Sequence, residues 1–381
     1  MFKVFQTKFF SSLLAAFVLG GSVAAFEYGA YIDNNSKFQG QKLSNIKLSQ
    51  INSGAVWVRS PLGSNTNNYF SMQGSYQHER DFRYKMDYDY VDLDLFKLNF
   101  GTTLFGNQLT AAAGRFFVSD LSSIVYTQNA DGLYLNYQAP TYTVSLYGAY
   151  TGLLNANKIS MIAIGKDAEI ADSDKLYDFA EKYVISAGTI SFLTLAENTS
   201  VDLQYLGAYR VEHKSTNRMY ATISVNGPIS SNIYYNTSYT LGWRNYDHSK
   251  YIKDALFRAS ATYFVPNTTL SLSGNFLYVT DMFVGFTSQD AVNSWDLPEY
   301  VDLCKPGATI SIKPFSKLLL SLSGDIVFDS DLNYQGVQYR AAADLQLFSD
   351  LYIGGAITQY IDDDVAKNNR HCFQLKATLV L

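Results

Sequence analysis

The sequence has no long apolar run beyond its N-terminal segment and few cysteines or prolines. After residue 25 the longest apolar stretches, such as KLLLSLSG, are a few residues long, whereas a membrane-spanning helix needs roughly 20. Only two cysteines, Cys304 and Cys372, occur in 381 residues. A secreted chain with a disulfide framework normally carries more. Either one bridge or two unpaired thiols fits this content, and the unpaired thiols are favoured.

Positive charge is also scarce. The chain has 29 Lys and Arg against 34 Asp and Glu, which gives a net charge of −5 at pH 7, and its basic residues form no stripe. Nucleic acids bind basic surfaces, so they are excluded as partners. Aromatic residues are abundant instead, with 30 Tyr and 25 Phe, and the mean hydropathy is −0.07. Such a composition is typical of transmembrane β-barrels.

The N-terminal segment has the three parts of a secretory signal peptide. Lys3 and Lys8 provide its basic region, and an apolar run follows from Phe9 to Gly20. Val23 and Ala25 then stand at the −3 and −1 positions of a cleavage site before Phe26. The run is shorter than an anchor helix would need. We therefore predict a signal peptide over residues 1–25 and a single barrel domain over residues 26–381.

The prolines mark a series of short turns. Five of the seven lie in similar short connections, namely RSPLGSN, QAPTYTV, NGPISSN, FVPNTTL and IKPFSKL. Proline lacks a backbone donor, so it fits hairpin tips better than strand interiors. LFGNQL, LAENTS and LFSDLY are similar turns without proline. These eight turns alternate with longer connections, which is the asymmetry of an outer-membrane barrel with tight periplasmic turns and long external loops.

Between the turns, apolar and polar residues alternate with a period of two. In LLLSLSGDIVF, one face carries Leu320, Leu322 and Ile326, while Ser321 and Ser323 lie on the other. This period indicates strands. The segments from FEYGAYI to FQLKATLVL predict an all-β fold: a transmembrane antiparallel β-barrel of about 18 strands, with 16 as the lower count.

One segment, DAEIADSDKLYDFAEKYV, departs from this alternation. Leu176, Phe179, Ala180 and Tyr183 recur at helical spacing. The pattern predicts a short helix over Asp172–Tyr183 in the fourth long loop. Such a helix would lie on the outer rim or enter the pore mouth, and the rim is the simpler placement.

The chain ends on the strand HCFQLKATLVL, in which Phe373, Leu375, Ala377, Leu379 and Leu381 are apolar at alternate positions. This ending resembles that of the bacterial outer-membrane porins, whose last strand carries an alternating apolar signal that usually ends in Phe. Leu381 departs from that ending. The resemblance implies a location in the outer membrane, contact with its lipid and lipopolysaccharide, and recognition of the last strand by the barrel-assembly machinery. It also allows a homotrimer.

AAGRFFVSD and NADGLYLNYQ resemble the strands that flank the third loop of general porins. In those proteins this loop folds into the lumen and narrows it. The resemblance implies that the loop Val118–Ala130 does the same here. Asp120 and Tyr126 would then approach the pore wall near Arg115.

Strand alternation directs many charged side chains into the barrel, since a Lys or Arg on the lipid face costs roughly 2–4 kcal/mol near the midplane. Side chains alone cannot fill an 18-strand barrel, which favours a water-filled pore over an interior of mutually paired charges. The candidate pore-lining residues are Arg115, Arg210, Arg258, Lys313, Arg340, Lys376, Asp92, Asp94, Asp202, Asp325 and Asp344.

Within this set, we expect Arg340 and Arg115 at the constriction, because each stands in the middle of its strand. Bases slightly outnumber acids among the candidates, whereas the external loops are acidic. Charge at the mouth acts over about a Debye length, roughly 8 Å at physiological salt. We therefore expect weak selectivity that shifts towards cations as the salt concentration falls.

No catalytic or metal-binding motif is present. His78, His213, His248 and His371 are predicted in or beside long loops, where they do not match outer-membrane proteases or phospholipases. The acidic clusters DSDKLYD, VFDSDL and IDDDV lack the spacing of a complete Ca²⁺ loop. The one role left open for these clusters is binding of divalent ions that bridge the external loops to each other or to lipopolysaccharide. We predict no enzyme activity, cofactor or protein-held metal.

The sequence thus favours a porin that passes ions and small hydrophilic solutes by diffusion. The alternative is a surface adhesin or antigen on a barrel scaffold, motivated by the long connections Asn155–Lys182 and Asp281–Pro306. A fatty-acid transporter would need an N-terminal plug, for which FEYGAYIDNN is too short.

Overall fold

The structure is a computed structural model that describes residues 26–40, 47–82, 86–158, 175–196, 198–211, 217–246, 250–280, 283, 302–363 and 369–381. These residues form eighteen strands: β1 Glu27–Gly40, β2 Lys47–Pro61, β3 Tyr69–Asp81, β4 Met86–Leu104, β5 Asn107–Ser119, β6 Thr127–Gln138, β7 Tyr142–Tyr150, β8 Tyr183–Ala196, β9 Thr199–Arg210, β10 Asn217–Ser230, β11 Ile233–Tyr246, β12 Lys250–Phe264, β13 Leu270–Val279, β14 Leu303–Phe315, β15 Leu318–Phe328, β16 Tyr334–Gln346, β17 Leu351–Asp362 and β18 Arg370–Val380. Each strand pairs antiparallel with the next, and β1 also pairs with β18. The predicted fold class and strand number are confirmed.

The register across the strands separates an apolar outer face from a polar inner face. Ala341 of β16 pairs with Leu322 of β15 and Ile357 of β17, and Ile357 pairs with Phe373 of β18. Leu322, Ile357 and Phe373 are 56%, 58% and 41% exposed. The adjacent row, on the inner face, contains Ser323, Arg340, Thr358 and Cys372. A closed sheet with an apolar exterior can satisfy its backbone hydrogen bonds without water.

The eight predicted short turns all join consecutive strands at one end of the barrel, as between β4 and β5 at residues 105–106. The two longest connections, residues 151–182 and 280–302, lie at the opposite end.

Several of the other predicted loops are shorter than expected because polar residues continue the strands. His78 was expected in or beside a loop, but it lies within β3. His371 follows the first residue of β18 and so stands beside the preceding connection, as expected. His213, His248 and the signal-peptide segment lie outside the described residues.

The predicted helix over Asp172–Tyr183 is not found in its described part. Residues 175–182 are irregular, Phe179 forms an isolated bridge with Asn155, and Tyr183 begins β8. The backbone of Leu176 is hydrogen-bonded to β4, so contacts with the barrel outweigh the weak helical spacing. Residues 172–174 lie outside the described residues. No helix in the described part of the chain is long and apolar enough to cross a membrane.

The hairpin formed by β5 and β6 leaves the barrel wall. Pairing of β5 with β4 stops at Arg115, although β4 continues to Met86. Pairing of β6 with β7 stops at Asp131. Residues 116–130 therefore pair only with each other across Ser119 and Thr127. We call these residues the inner hairpin.

A glycine marks the point of departure. Gly114 has φ +118°, a conformation that L side chains rarely adopt. A Cβ built on it would lie 1.9 Å from the carbonyl oxygen of Phe96 on β4. The turn away from the wall thus depends on the absence of a side chain here.

The apolar tip of the inner hairpin packs against the barrel's inner wall. Ile124, Val125 and Tyr126 are 5%, 1% and 0% exposed. They belong to one apolar cluster with wall residues that include Tyr147, Ile185, Leu206, Ala208, Tyr220 and Leu256. Burial of each large apolar side chain contributes about 1.5–3 kcal/mol. This packing holds the hairpin against β7–β12, and the same cluster continues through Val279, Leu303, Val327 and Tyr360 on β13, β14, β15 and β17.

The substitution Gly114→Ala tests the departure point. A side chain in this conformation costs about 1–3 kcal/mol before the contact with the Phe96 carbonyl is counted. We expect the folded, heat-modifiable gel band of Gly114→Ala to disappear at a lower temperature than that of the parent protein. Gly148→Ala is the control, because a Cβ there meets nothing within 4 Å. Equal melting of both variants would show that Gly114 is not required.

Candidate functional site: the inner hairpin and its attachments

The tip of the inner hairpin is hydrogen-bonded to strands outside its own neighbourhood. The backbone N–H of Leu121 donates to Oε1 of Gln204 on β9, at 3.0 Å. Nη1 of Arg258 on β12 donates to the carbonyl oxygen of Ser122, at 3.2 Å. Because β12 is six strands away from β6, these bonds place the tip across the barrel interior. The prediction that this loop folds inward agrees with these contacts.

Asp120 organises the tip from within. Its carboxylate accepts the backbone N–H groups of Ser122, Val125 and Tyr126, at 2.7, 3.1 and 2.9 Å. It also accepts the Ser122 hydroxyl, and its own N–H donates to the carbonyl of Tyr126 at 2.8 Å. Charge-assisted bonds of this kind are stronger than neutral ones. Asp120 therefore fixes the shape of the turn.

The expectation that Asp120 and Tyr126 approach Arg115 needs correction. The side-chain hydrogen bonds of Asp120 described above stay inside its own turn, and Tyr126 packs in the apolar cluster beside Tyr147. The hairpin carries both residues away from its base, where Arg115 stands. The sequence resemblance located the loop correctly, but it did not indicate which wall the loop would meet.

Arg115 holds the base of the inner hairpin. Its Nε and Nη2 donate to the two carboxylate oxygens of Asp131 on β6, at 2.9 and 2.8 Å. Nη1 donates to Asp92 and to the carbonyl of Leu93 on β4, at 3.3 and 2.9 Å. The guanidinium thus bridges the hairpin to the strand from which the hairpin has separated.

Arg115 also binds the connection between β7 and β8. Nη2 donates to the carbonyl of Leu153 at 2.6 Å, and Nη1 donates to the Tyr177 hydroxyl at 3.3 Å. Arg115 is only 4% exposed. The prediction that it lines the channel at the constriction is therefore wrong in this structure. Its register partners, Phe96 and Asp131, show that it lies on the face of β5 opposite to the hairpin's apolar cluster.

The described parts of the β7–β8 connection, residues 151–158 and 175–182, line the free edge of β4. We call them the loop-4 arms. The N–H of Val91 donates to the carbonyl of Leu176 at 3.0 Å. The Asn155 amide donates to the carbonyls of Val91 and Leu176 at 2.8 and 3.2 Å. The arms thus take hydrogen bonds that β5 would otherwise satisfy.

Lys158 attaches the first of the loop-4 arms, residues 151–158, to the inner face of the barrel. Its Nζ donates to Asp94 at 3.1 Å and to the Ser75 hydroxyl at 2.6 Å. At the other arm, Glu181 lies 3.8 Å from Arg210 of β9. These contacts contradict the outer rim as the place of this segment.

The remaining predicted pore-lining residues divide into paired and exposed groups. Asp325 lies 3.4 Å from Lys305, and Asp202 accepts from Asn226 at 3.3 Å. The exposed residues of the predicted set are Arg258, Lys313, Asp344 and Lys376, and Arg340 is half-buried. Lys376 is also 3.5 Å from Asp33, at the β18–β1 closure. Within the described part of the chain, two members of the predicted set, Arg115 and Asp92, form an ion pair with each other.

Sequence reasoning missed several partners. Four residues that bind the hairpin or the strands beside it share no sequence spacing with the groups they contact. They are Asp131, Lys158, Tyr177 and Gln204. Only Asp131 could have been found from the sequence, because it stands in NADGLYLNYQ, the segment that resembles the strand after the third loop of general porins. Among the described residues, no group of three or more His, Cys, Asp or Glu side chains is arranged to hold a metal ion.

The role of Arg115 is tested by Arg115→Met. Removal of one partner from a buried ion pair costs about 3–5 kcal/mol, because the other charges stay buried and unpaired. We expect a large loss of stability in urea unfolding, together with noisier open-channel current as the hairpin loosens. Arg59→Met is the control, because Arg59 pairs with Glu27 at 3.7 Å while its side chain is 45% exposed. Surface pairs contribute about 0–1 kcal/mol. Similar losses in both variants would contradict the assigned role.

Solved structures with this architecture are outer-membrane porins. The chain is similar to Pseudomonas aeruginosa OpdQ (TM-score 0.59, 12% identity, 93% of this chain and 99% of that chain). It is also similar to Pseudomonas aeruginosa OccK2 (OpdF) in complex with glucuronate (TM-score 0.63, 11% identity, 93% and 96%), and to Acinetobacter baumannii OccAB4 (TM-score 0.62, 9% identity, 95% and 100%). No protein-family model and no curated protein sequence matches the chain. At these identities the likeness shows a shared fold.

Proposed function

We propose that the protein is an outer-membrane channel through which small hydrophilic solutes diffuse. The observation that carries the proposal is the inner hairpin, whose tip binds Gln204 on β9 and Arg258 on β12 inside a closed 18-strand barrel. A hairpin fixed across a wide barrel narrows the interior without filling it. The exposed charges of the inner face supply the polar surface that a water-filled path needs.

The fold shared with the Occ channels supports this proposal, as does the apolar outer face. The alternative of an adhesin or antigen has less support. It drew on long external connections, yet the loop-4 arms turn to the inner face through Lys158. Most of the other connection, residues 280–302, lies outside the described residues. An enzyme is not favoured, since the similar structures are channels.

The exposed interior charges favour small anions as solutes. Three of the four exposed residues in the predicted set, Arg258, Lys313 and Lys376, are basic, and only Asp344 is acidic. Arg258 stands at the hairpin tip, where any solute that passes the tip comes nearest to the wall. A carboxylate would pair with its guanidinium, and the complex of OccK2 with glucuronate is a case of such a solute in this fold. Charge at a constriction acts at contact, so the preference should persist at high salt.

Shortening of the hairpin tests the constriction. Ser119 and Thr127 are register partners, so residues 120–126 can be replaced by Asn-Gly, which closes a two-residue hairpin turn. We expect a larger single-channel conductance in planar bilayers, because the shortened tip no longer crosses the interior. The folded gel band must be retained. Unchanged conductance in a folded barrel would mean that the tip does not narrow the path.

The anion preference is tested by Arg258→Gln. At about 4 Å a unit charge attracts an anion and repels a cation by about 1 kcal/mol each in water, so the anion-to-cation permeability ratio should fall by at most about thirtyfold. The measurement is the reversal potential across a salt gradient. Lys253→Gln is the matched control, because Lys253 is exposed on the same strand but alternates to the opposite face. A shift of equal size in both variants, or in neither, would contradict the placement of Arg258.

A further inference from the structure

The connection between β2 and β3, residues 62–68, is the longest of the eight short turns. Its sequence, LGSNTNN, contains three asparagines, Asn65, Asn67 and Asn68, and we call it the asparagine turn. The backbone N–H of Leu62 donates to the carbonyl of Asn68 at 2.7 Å, and the N–H of Asn68 donates to the carbonyl of Asn65 at 2.9 Å. The turn is therefore a compact unit with a defined shape.

The asparagine turn lies on the inner side of β4. Asn99 of β4 faces the interior, because it is the register partner of Tyr69, which shares the inner face of β3 with Ser75. Gly101 stands two residues further along the same face of β4. A Cβ built on Gly101 would lie 2.4 Å from the Cβ of Asn67, so the turn rests directly on this glycine. The turn thus folds over the interior at the short-turn end of the barrel.

Hydrogen bonds to β4 hold the turn in this place. The Asn65 amide donates to the carbonyl of Gly101 at 2.9 Å, and the N–H of Gly101 donates to Oδ1 of Asn68 at 2.8 Å. The Asn99 amide donates to the carbonyl of Asn67 at 2.8 Å. These bonds satisfy the edge of β4 beyond the point where its pairing with β3 ends. That need accounts for Asn65, Asn68 and Asn99, but not for the side chain of Asn67.

The side chain of Asn67 is available to a ligand. Its N–H donates to Oδ1 of Asn65 at 3.0 Å and its carbonyl accepts the Asn99 amide, so its backbone is fixed on both sides. The residue is exposed, and its side-chain amide makes no hydrogen bond within the described ranges. Because the backbone is already ordered, binding of a solute to this amide would cost little further conformational entropy.

Arg59 and Tyr69 stand next to the turn on the inner face. Arg59 is the register partner of Ser71, which lies on the same face of β3 as Tyr69. The guanidinium carbon is 4.1 Å from the centroid of the Tyr69 ring, and Nη1 is 3.7 Å from the Glu27 carboxylate. The second distance is too long for a hydrogen bond. Stacking and charge attraction thus orient the guanidinium, while its N–H donors remain open to the interior.

These groups suit hydroxyl groups, each of which donates one hydrogen bond and accepts others. Asn67 offers a donor and an acceptor, Arg59 offers donors and Glu27 offers acceptors. The side chains of Arg59 and Glu27 are 45% and 64% exposed. Their charges balance, and an anion that approached Arg59 would also meet the carboxylate of Glu27. A neutral solute with several adjacent hydroxyls can use all three side chains.

We propose that Asn67, Arg59 and Glu27 form a binding subsite for neutral sugars at the short-turn end of the barrel. We call these three residues the turn subsite. The inference rests on the proposed function only for the route by which a sugar reaches the subsite from the opposite end. Neutral hydroxylated solutes bind here, whereas Arg258 at the hairpin tip interacts with anions. The asparagine turn positions Asn67, and Tyr69 positions Arg59.

Block of the channel current by glucose tests the turn subsite in planar bilayers. Because hydrogen bonds to charged groups are stronger than neutral ones, the glucose concentration for half-maximal block should rise about tenfold for Arg59→Met and about fivefold for Asn67→Ala. Asn275→Ala is the matched control, since Asn275 is exposed on the inner face of β13 as the register partner of Ser260. A polyethylene glycol of matched size should block all four proteins equally. Equal glucose block in all four, or an equal change in the control, would overturn the proposal.

Protection of a cysteine tests the turn subsite without any current. With Cys304 and Cys372 replaced by Ser, Thr66→Cys introduces one thiol at an exposed position of the asparagine turn, and Asn275→Cys is the control. Glucose should slow maleimide labelling of Thr66→Cys in the folded, detergent-solubilised protein and leave Asn275→Cys unaffected. Glucuronate at the same concentration should protect less, because Glu27 repels its carboxylate. Absence of protection by glucose, or stronger protection by glucuronate, would contradict a subsite for neutral sugars.

The two proposals fail separately in these experiments. Protein that conducts but shows no protection of Thr66→Cys by glucose contradicts the turn subsite and leaves the channel intact. Protein in which glucose protects Thr66→Cys, but which gives no conductance steps, contradicts the channel and leaves the turn subsite intact.

Discussion

Closure of the sheet is the constraint on which the rest of the structure depends. β1 meets β18 in ten consecutive register pairs, from Tyr31 with Val380 to Gly40 with His371. Ala30 and Leu381 exchange two further backbone hydrogen bonds, at 3.0 and 2.8 Å. Closure leaves no free sheet edge, and it divides all strand residues between two environments. Every departure from the wall then exposes backbone groups that other residues must satisfy.

The inner hairpin is the main departure, and its cost explains the loop-4 arms. When β5 separates from β4 at Arg115, the β4 edge near Val91 loses its partner. Leu176 and Asn155 supply hydrogen bonds there, and Arg115 ties hairpin, strand and arms together. A buried cation with two carboxylates and two carbonyls around it is stable only when all of them are present. The inward course of the hairpin and the position of the loop-4 arms are thus parts of one arrangement.

The strand number, the short turns and the alternation of faces could be predicted because each depends on neighbouring residues. Alternation in LLLSLSGDIVF gives its two faces directly, and proline placement gives the turns. Arg115 could not be assigned in this way. Its position in the middle of a strand predicted that it lines the pore. Instead, the hairpin leaves the wall at Gly114, and tertiary contacts bring Asp92, Leu153 and Tyr177 to the guanidinium. The helix over Asp172–Tyr183 failed for the same reason, since local spacing competed with the open edge of β4.

The hairpin tip and the exposed charged side chains lie on different parts of the inner wall. The apolar tip covers β7–β12, where Leu206, Tyr220 and Leu256 are almost completely buried. The inner faces of β14, β16 and β18 keep Lys313, Asp344 and Lys376 exposed. Arg258 stands at the boundary, bonded to the tip and yet exposed. In the proposed channel, a solute that passes the tip would meet Arg258 and the exposed Lys313, Asp344 and Lys376. In that proposed path, these exposed side chains would determine the chemistry more than the net charge of the chain does.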